Sequence, residues 1–268
     1  MKISILSDLH LEISNIQFKP IKCDVMILAG DISSGTLALD FIKYHISNGV
    51  KHILYIFGNH EFYDKINFDL NEEKLCKSKN LDSYDITIKN WLNIEKDIEE
   101  LHILHKKEFI LENVRFLGST LWTDFNKTQK DMDISLNTMN DYNYITYKNR
   151  LITPHDIFNF HIIEKKWLIK ELSDISKKDL ITFVISHHLP SYQCILPQYH
   201  NNSANSSYAS SLDNLMKKYK IDYWVHGHTH SSINLKIHNT EIICNPRGYC
   251  HKTKCENKDF NYEYLLEI

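Results

Sequence analysis

The chain has 268 residues, enough for one large α/β domain or two small ones. Hydrophobic residues make up 43% and charged residues 24%, as in soluble globular proteins, and a formal net charge of −3 argues against a non-specific polyanion binder. No stretch approaches the roughly 18 apolar residues of a membrane span, and "MKISILSDLH" turns polar too early for a signal peptide, so a cytoplasmic location is expected.

In chain order, five short apolar runs rich in Ile, Val and aromatics read as buried strands. They are "ISIL" (3–6), "VMILA" (25–29), "HILYIF" (52–57), "LITFVI" (180–185) and "DYWV" (222–225). Helical segments fall between them. "TLALDFIKYHISNG" (36–49) ends in an Asn-Gly stop signal, and 153–174 starts with Thr153 as N-cap and Asp156 three residues on. A shorter helix is expected at 210–219, and 62–112 reads as helical to about residue 100, then as short strands through "VRFLGST" (114–120). "INLKIH" and "EIICN", split by "NT", read as an antiparallel hairpin, and the Asn/Ser-rich 200–211 as a loop that could act as a lid. Alternation of strands and helices calls for mostly parallel sheets covered by helices. No repeat or linker divides the chain, so 1–268 is read as a single domain.

Each of the five strands gives way to polar residues. Asp8 and His10 come after the first, Asp31 after the second, and Gly58-Asn59-His60 after the third. His187 and His188 come after the fourth, and the fifth runs into "HGHTH" with His226, His228 and His230. Ligands gather at the carboxyl ends of parallel strands, so these residues are expected to converge. The glycines are expected to permit tight turns. Carboxylates, imidazoles and an amide oxygen suit Mn, Fe or Zn. So many candidate ligands exceed the needs of one tetrahedral ion and fit a pair bridged by a carboxylate, an arrangement made for displacement at phosphorus.

The set Asp8-x-His10, Gly30-Asp31, Gly58-Asn59-His60-Glu61, His187 and Gly227-His228-x-His230 resembles the signature of the calcineurin-like metallophosphoesterases. "FLGSTLWTDF" (116–125), "CNPRGY" (244–249) and "HHLPS" are similar to small single-domain bacterial members. The resemblance implies a four-layer α/β/β/α sandwich. It implies two divalent ions, Mn favoured, with Asp8, His10 and His230 holding one, Asn59, His187 and His228 the other, and Asp31 bridging. A hydroxide shared by the ions would attack phosphorus, and His60 would protonate the leaving oxygen. The expected reaction is hydrolysis of a phosphoester, a small phosphodiester or nucleotide-like substrate in preference. A nuclease, a protein phosphatase and a non-catalytic scaffold are the alternatives; nucleic acid is disfavoured by the lack of a basic groove.

Other positions stay open in the sequence. His226 would either orient a ligand or be satisfied within its strand, and His188 would face substrate or a carboxylate, or exchange roles with His187. Arg247, one of only three arginines, would clamp a phosphate oxygen or make a structural salt bridge. Tyr63 would line the pocket or pack in the core, and Asp124 would sit at the site rim or face solvent. The six cysteines lack paired spacings and read as reduced thiols, with a small zinc site around Cys250, His251 and Cys255 disfavoured. No G-x-S-x-G elbow, P-loop or dinucleotide fingerprint is present.

Overall fold

The computed structural model describes residues 1–14, 16–63, 82–251 and 254–268. Strands β1 (Lys2–Leu6), β2 (Val25–Ala29), β3 (His52–Ile56) and β4 (Leu101–Ile103) lie side by side and parallel. After β5 (Lys107–Leu111) and β6 (Val114–Gly118), the chain makes a two-residue pairing of β7 (Thr146–Tyr147) with β8 (Arg150–Leu151). Next come β9 (Ile181–Ile185), β10 (Tyr223–Val225), β11 (Ile233–Ile237) and β12 (Thr240–Cys244), then the short hairpin β13 (Cys250–His251) and β14 (Lys254–Cys255), and finally β15 (Leu265–Glu267). Two sheets result, ordered β15-β1-β2-β3-β4 and β11-β12-β10-β9-β6-β5. In the second, β12, β10, β9 and β6 are parallel, with antiparallel β11 and β5 at its edges.

Side-chain alternation sorts the core into three layers. Ile3, Ile5, Val25, Ile27, Leu54 and Ile56 of the first sheet meet Val114, Phe116, Phe183, Ile185, Val225 and Ile243 of the second. The opposite face of the first sheet (Leu6, Met26, Leu28, Ile53) packs on Phe41 and Ile42 of α1 (Ala38–Ser47) and Trp91 of α2 (Ser83–Lys96). After α3 (Gln129–Thr138) and α4 (Asp141–Tyr144) come α5 (Pro154–Leu172) and α6 (Asp213–Lys218). Leu168 of α5 and Leu215 and Met216 of α6 cover Leu117, Val184, Trp224 and Ile242 on the outer face of the second sheet. This is a four-layer α/β/β/α sandwich. Strands buried on both faces read as unbroken apolar runs, which is why their sequences carry so little alternation.

The five predicted strands and the 233–245 hairpin are present, and α1, α5 and α6 fall within their expected segments. Thr153 and Asp156 form a reciprocal capping box ahead of Pro154, satisfying donors that a helix start leaves open. The expected helical reading of 62–112 is met by α2; its part over 64–81 lies outside the described residues. The cysteine reading needs correction: Cys250 and Cys255 form a disulfide, while Cys23, Cys194 and Cys244 are free and buried. The two cysteines face each other across the β13–β14 pair, a juxtaposition that their five-residue spacing alone does not announce.

One buried acid makes a pH-dependent contribution to stability. Glu164 on α5 is 1% exposed and accepts the Leu121 N–H, but its Oε1 has no partner among the described residues. Burial pushes its carboxyl up from 4.5 to about 7. An acid with a raised pKa in the folded state takes up a proton on folding between those values, so stability falls as pH rises through that window. Glu164→Gln is expected to abolish that slope and to stabilise the protein at pH 8 by about 1–3 kcal/mol. Urea midpoints at pH 5 and pH 8 check it; an equal offset between variant and parent at both pH values would contradict it.

Candidate metal centre

The loops after β1, β2, β3, β9 and β10 meet at one edge of the sandwich. The first two run together, with the Asp8 N–H on Gly30 O (3.0 Å) and the His10 N–H on Asp31 O (3.1 Å). Asp8 in turn accepts the His228 N–H through Oδ1 at 3.0 Å, tying β1 to the loop 220 residues later. Four of the residues converging here have left-handed backbones without being glycine: Asp8 (φ 50°), His10 (φ 47°), Asp31 (φ 53°) and His228 (φ 67°). Such conformations are uncommon and cluster at functional sites.

The glycines serve a purpose other than the expected turn. A Cβ on Gly58 would stand 2.1 Å from Asp31 Oδ1, and one on Gly227 would stand 2.7 Å from Asp8 Oδ2. Both positions need glycine for the close approach of a carboxylate.

Asp31 stands at the centre. Its Oδ2 lies 3.3 Å from His187 Nε2 and 3.9 Å from His10 Nε2, while Oδ1 accepts the His60 N–H at 2.8 Å. On one side, His230 Nε2 is 3.7 Å from Asp8 Oδ1 and 3.1 Å from His10 Nε2. On the other, Asn59 Oδ1 is 3.2 Å from His187 Nε2, and the His187 and His228 rings are 4.9 Å apart. Potential ligand atoms lie within 4.8 Å of one another in Asp8–His10–His230, in Asp31–His187–His228 and in His10–Asp31–His60. All these residues are buried except His230, which is half-buried.

The residues fit divalent cations. Nε2 of His228 is buried with no partner among the described residues, a costly state for a nitrogen that could ligate. Burial disfavours charge on His187, yet neighbouring Asp31 overrides it and lifts the ring to about 10. Burial likewise opposes an ionised Asp31, but His187 and His60 hold its carboxyl well below the usual range. Asp31 thus draws positive charge onto the neighbouring His187, whereas burial raises the carboxyl of Asp8 and disfavours charge on His10 and His228.

Several side chains that orient this set were not foreseen. Asn59 Nδ2 donates to Asp141 (2.8 Å) and to Tyr63 OH (3.1 Å), which leaves Oδ1 for the centre. His187 Nδ1 meets the Ala29 carbonyl at 2.9 Å, so Nε2 faces inward. Nδ1 of His230 is paired with Glu256. Such outer partners fix ligand tautomer and direction. Glu61, the last residue of the GNHE motif, is wholly structural: it accepts N–H groups of Asp31 (2.9 Å), Ile32 (2.8 Å) and Gly58 (2.6 Å) and the Tyr55 hydroxyl (2.7 Å).

The centre opens on a cleft of about 690 Å³ whose walls include Asp31, His60, Tyr63, Tyr208, His228 and Tyr249. The 200–211 segment, expected as an irregular loop, contains a short 3₁₀ helix (Ser203–Ser207) and supplies Asn202, Asn205 and Tyr208 to the wall. Tyr63 does both things expected of it, lining the cleft and packing in the core, and its hydroxyl donates to Asp141 at 2.7 Å. His60 faces the cleft, with Nε2 3.1 Å from Tyr249 OH.

Four expectations find other surroundings. Arg247 lies outside the cleft lining and donates to the carbonyls of Leu9 (2.8 Å) and Ser14 (2.9 Å). His188 is buried between the rings of Trp122 and His228, with centroids 5.1 and 4.3 Å away, also outside the lining. His226 Nδ1 bonds the Gly227 carbonyl at 2.9 Å and its Nε2 has no partner among the described residues; it touches the backbone ahead of His228. Asp124 is buried, and its side chain accepts the Asn126 N–H.

No curated protein matches the sequence. Among solved structures, the chain is similar to a phosphopantetheinyl hydrolase from Mycobacterium tuberculosis, with 12% identity, TM-score 0.69, and 92% of this chain and 89% of that one covered. It is also similar to a dimetal phosphatase from Danio rerio, with 13% identity, TM-score 0.47, and coverage of 91% and 86%. The first likeness shows a shared fold. The model of the calcineurin-like phosphoesterases matches residues 1–232, which takes in every residue of the three ligand groups, and the chain belongs to that family.

Proposed function

We propose that the protein is a dinuclear metal-dependent phosphoesterase that hydrolyses a small phosphodiester or nucleotide-like substrate. The observation that carries the reading is Asp31, which belongs to two ligand groups, one with His187 and His228 and one with His10 and His60, and whose Oδ2 faces both His187 and His10. Asp8, His10 and His230 would hold one ion and Asn59, His187 and His228 the other, with Asp31 common to both. Bound divalent ions, Mn in preference, lower the pKa of water and neutralise charge developing on phosphoryl oxygens. The protein's own residues do the rest. Asp141 and Tyr63 turn the Asn59 amide oxygen toward the centre, and the Ala29 carbonyl does the same for the His187 ring. His60 presents Nε2 to the cleft and would give its proton to the leaving oxygen. Burial disfavours charge on that ring, but Asp31 and Glu12 raise it to about 9, which supports a protonated donor.

Among the described residues the cleft lining holds no Lys or Arg. That favours a diester monoanion over a monoester dianion, which calls for more positive charge. Arg247 is assigned to holding the Leu9 and Ser14 carbonyls, and His188 and His226 to packing around the ligand loops. Among the described residues no helix is long and apolar enough to cross a membrane. The Cys250–Cys255 bond removes one argument for a reducing compartment.

The test strips the protein of metal, restores Mn, Fe, Zn or Mg singly, and compares bis(p-nitrophenyl) phosphate with p-nitrophenyl phosphate. Metal-dependent turnover, faster on the diester, is expected. Inactivity on both esters with every metal would overturn the reading.

A further inference from the structure

Glu12 lies two residues beyond His10, with a side chain 3% exposed. A single oxygen, Oε1, stands 3.1 Å from His10 Nδ1 and 3.0 Å from His60 Nδ1. An ionised carboxylate only accepts, so both rings must donate to it through Nδ1–H. That sets the free nitrogen of each ring. Nε2 of His10 then points at Asp31 and His230, and Nε2 of His60 points into the cleft beside Tyr249. The rings meet edge to face with centroids 4.5 Å apart, so the tilt of one constrains the other. The other oxygen of Glu12, Oε2, is buried and has no hydrogen-bond partner among the described residues. The hydrogen bonds described for this carboxylate all go to the two imidazoles, not to a backbone turn. A purely structural acid looks different: Glu61 in the same site spreads its oxygens over several backbone N–H groups.

We propose that Glu12 is a positioning residue that orients a metal-ligand ring and the proton-donating ring through one shared oxygen. The inference rests on the reading of His60 as leaving-group proton donor. It separates the two rings' tasks by experiment, because the His10 arm governs ion affinity and the His60 arm governs protonation of the leaving oxygen.

The experiment compares the parent, Glu12→Ala and Glu12→Gln, with melting curves of the metal-free proteins as a check on folding. Mn affinity is read by titration without substrate. Turnover is read on bis(p-nitrophenyl) phosphate and on diphenyl phosphate, whose more basic leaving group depends more on a proton. Glu12→Ala is expected to weaken binding of one Mn by about 10–100-fold. Its kcat on diphenyl phosphate should fall at least about 10-fold further than on the nitrophenyl ester, with KM little changed. Glu12→Gln, which keeps an acceptor, should recover part of both losses, and it carries the test if the alanine variant does not fold. In a His60→Asn background the extra loss on diphenyl phosphate should vanish while the Mn effect persists. Equal losses on both esters with unchanged Mn affinity would overturn the proposal. If the parent hydrolyses neither ester, the phosphoesterase reading fails, and unaltered Mn binding in the alanine variant then overturns the Glu12 role as well.

Discussion

Asp31→Asn is expected to lower turnover by at least about 10³-fold, some 4 kcal/mol of transition-state stabilisation, and to leave no more than one tightly held divalent ion per chain. The two residues have the same shape, so the change isolates charge. Oδ1 of Asp31 accepts the His60 N–H, while Oδ2 faces His187 and His10. An asparagine must keep its carbonyl oxygen on that N–H, because the N–H is a buried donor that is costly to leave unpaired. Its NH₂ group then faces the two histidines, putting a partial positive charge where cations would be shared. Metal content after dialysis and turnover on an aryl diester check the outcome together. Two ions retained with parental turnover would sink the bridging role.

The second large effect belongs to His60. His60→Asn removes the ring that faces the cleft but leaves the backbone N–H that supports Asp31. Both ions should therefore stay bound while turnover drops by about 10²–10⁴-fold. The drop should grow with the basicity of the leaving group and be smallest for p-nitrophenolate. A variant that retained both ions and parental rates on diphenyl phosphate would remove His60 from the reaction.

Much of this was legible in the amino-acid order because the two strongest signals are physical necessities. Strands covered on both faces must be apolar throughout, and polar residues directly behind them can only lie at the sheet edge. Asp8, His10, Asp31, Asn59, His187, His228 and His230 all carry that mark. The residues that orient them do not. Asp141 opens a four-residue helix, and Glu256 follows a two-residue strand; neither sits at the end of an apolar run. Glu12 was in plain view beside His10, but a single carboxylate in a loop has no periodicity to betray its direction. Arg247 stood out by rarity, which says nothing about its partners, and among the described residues these include the Leu9 and Ser14 carbonyls. In sequence the glycines of "GNHE" and "GHTH" signal a turn, whereas the crowding of Asp31 and Asp8 against them appears only in three dimensions.

The positive φ angles at Asp8, His10, Asp31 and His228 narrow what can replace these residues. Asp, Asn and His are the side chains that L-residue backbones most readily carry in that region, and most others cost about 1–2 kcal/mol there. Scanning with alanine or valine would therefore mix a conformational penalty with a missing donor, and would exaggerate the latter. At these four positions the chemistry of holding a cation and the geometry of the peptide select the same small alphabet.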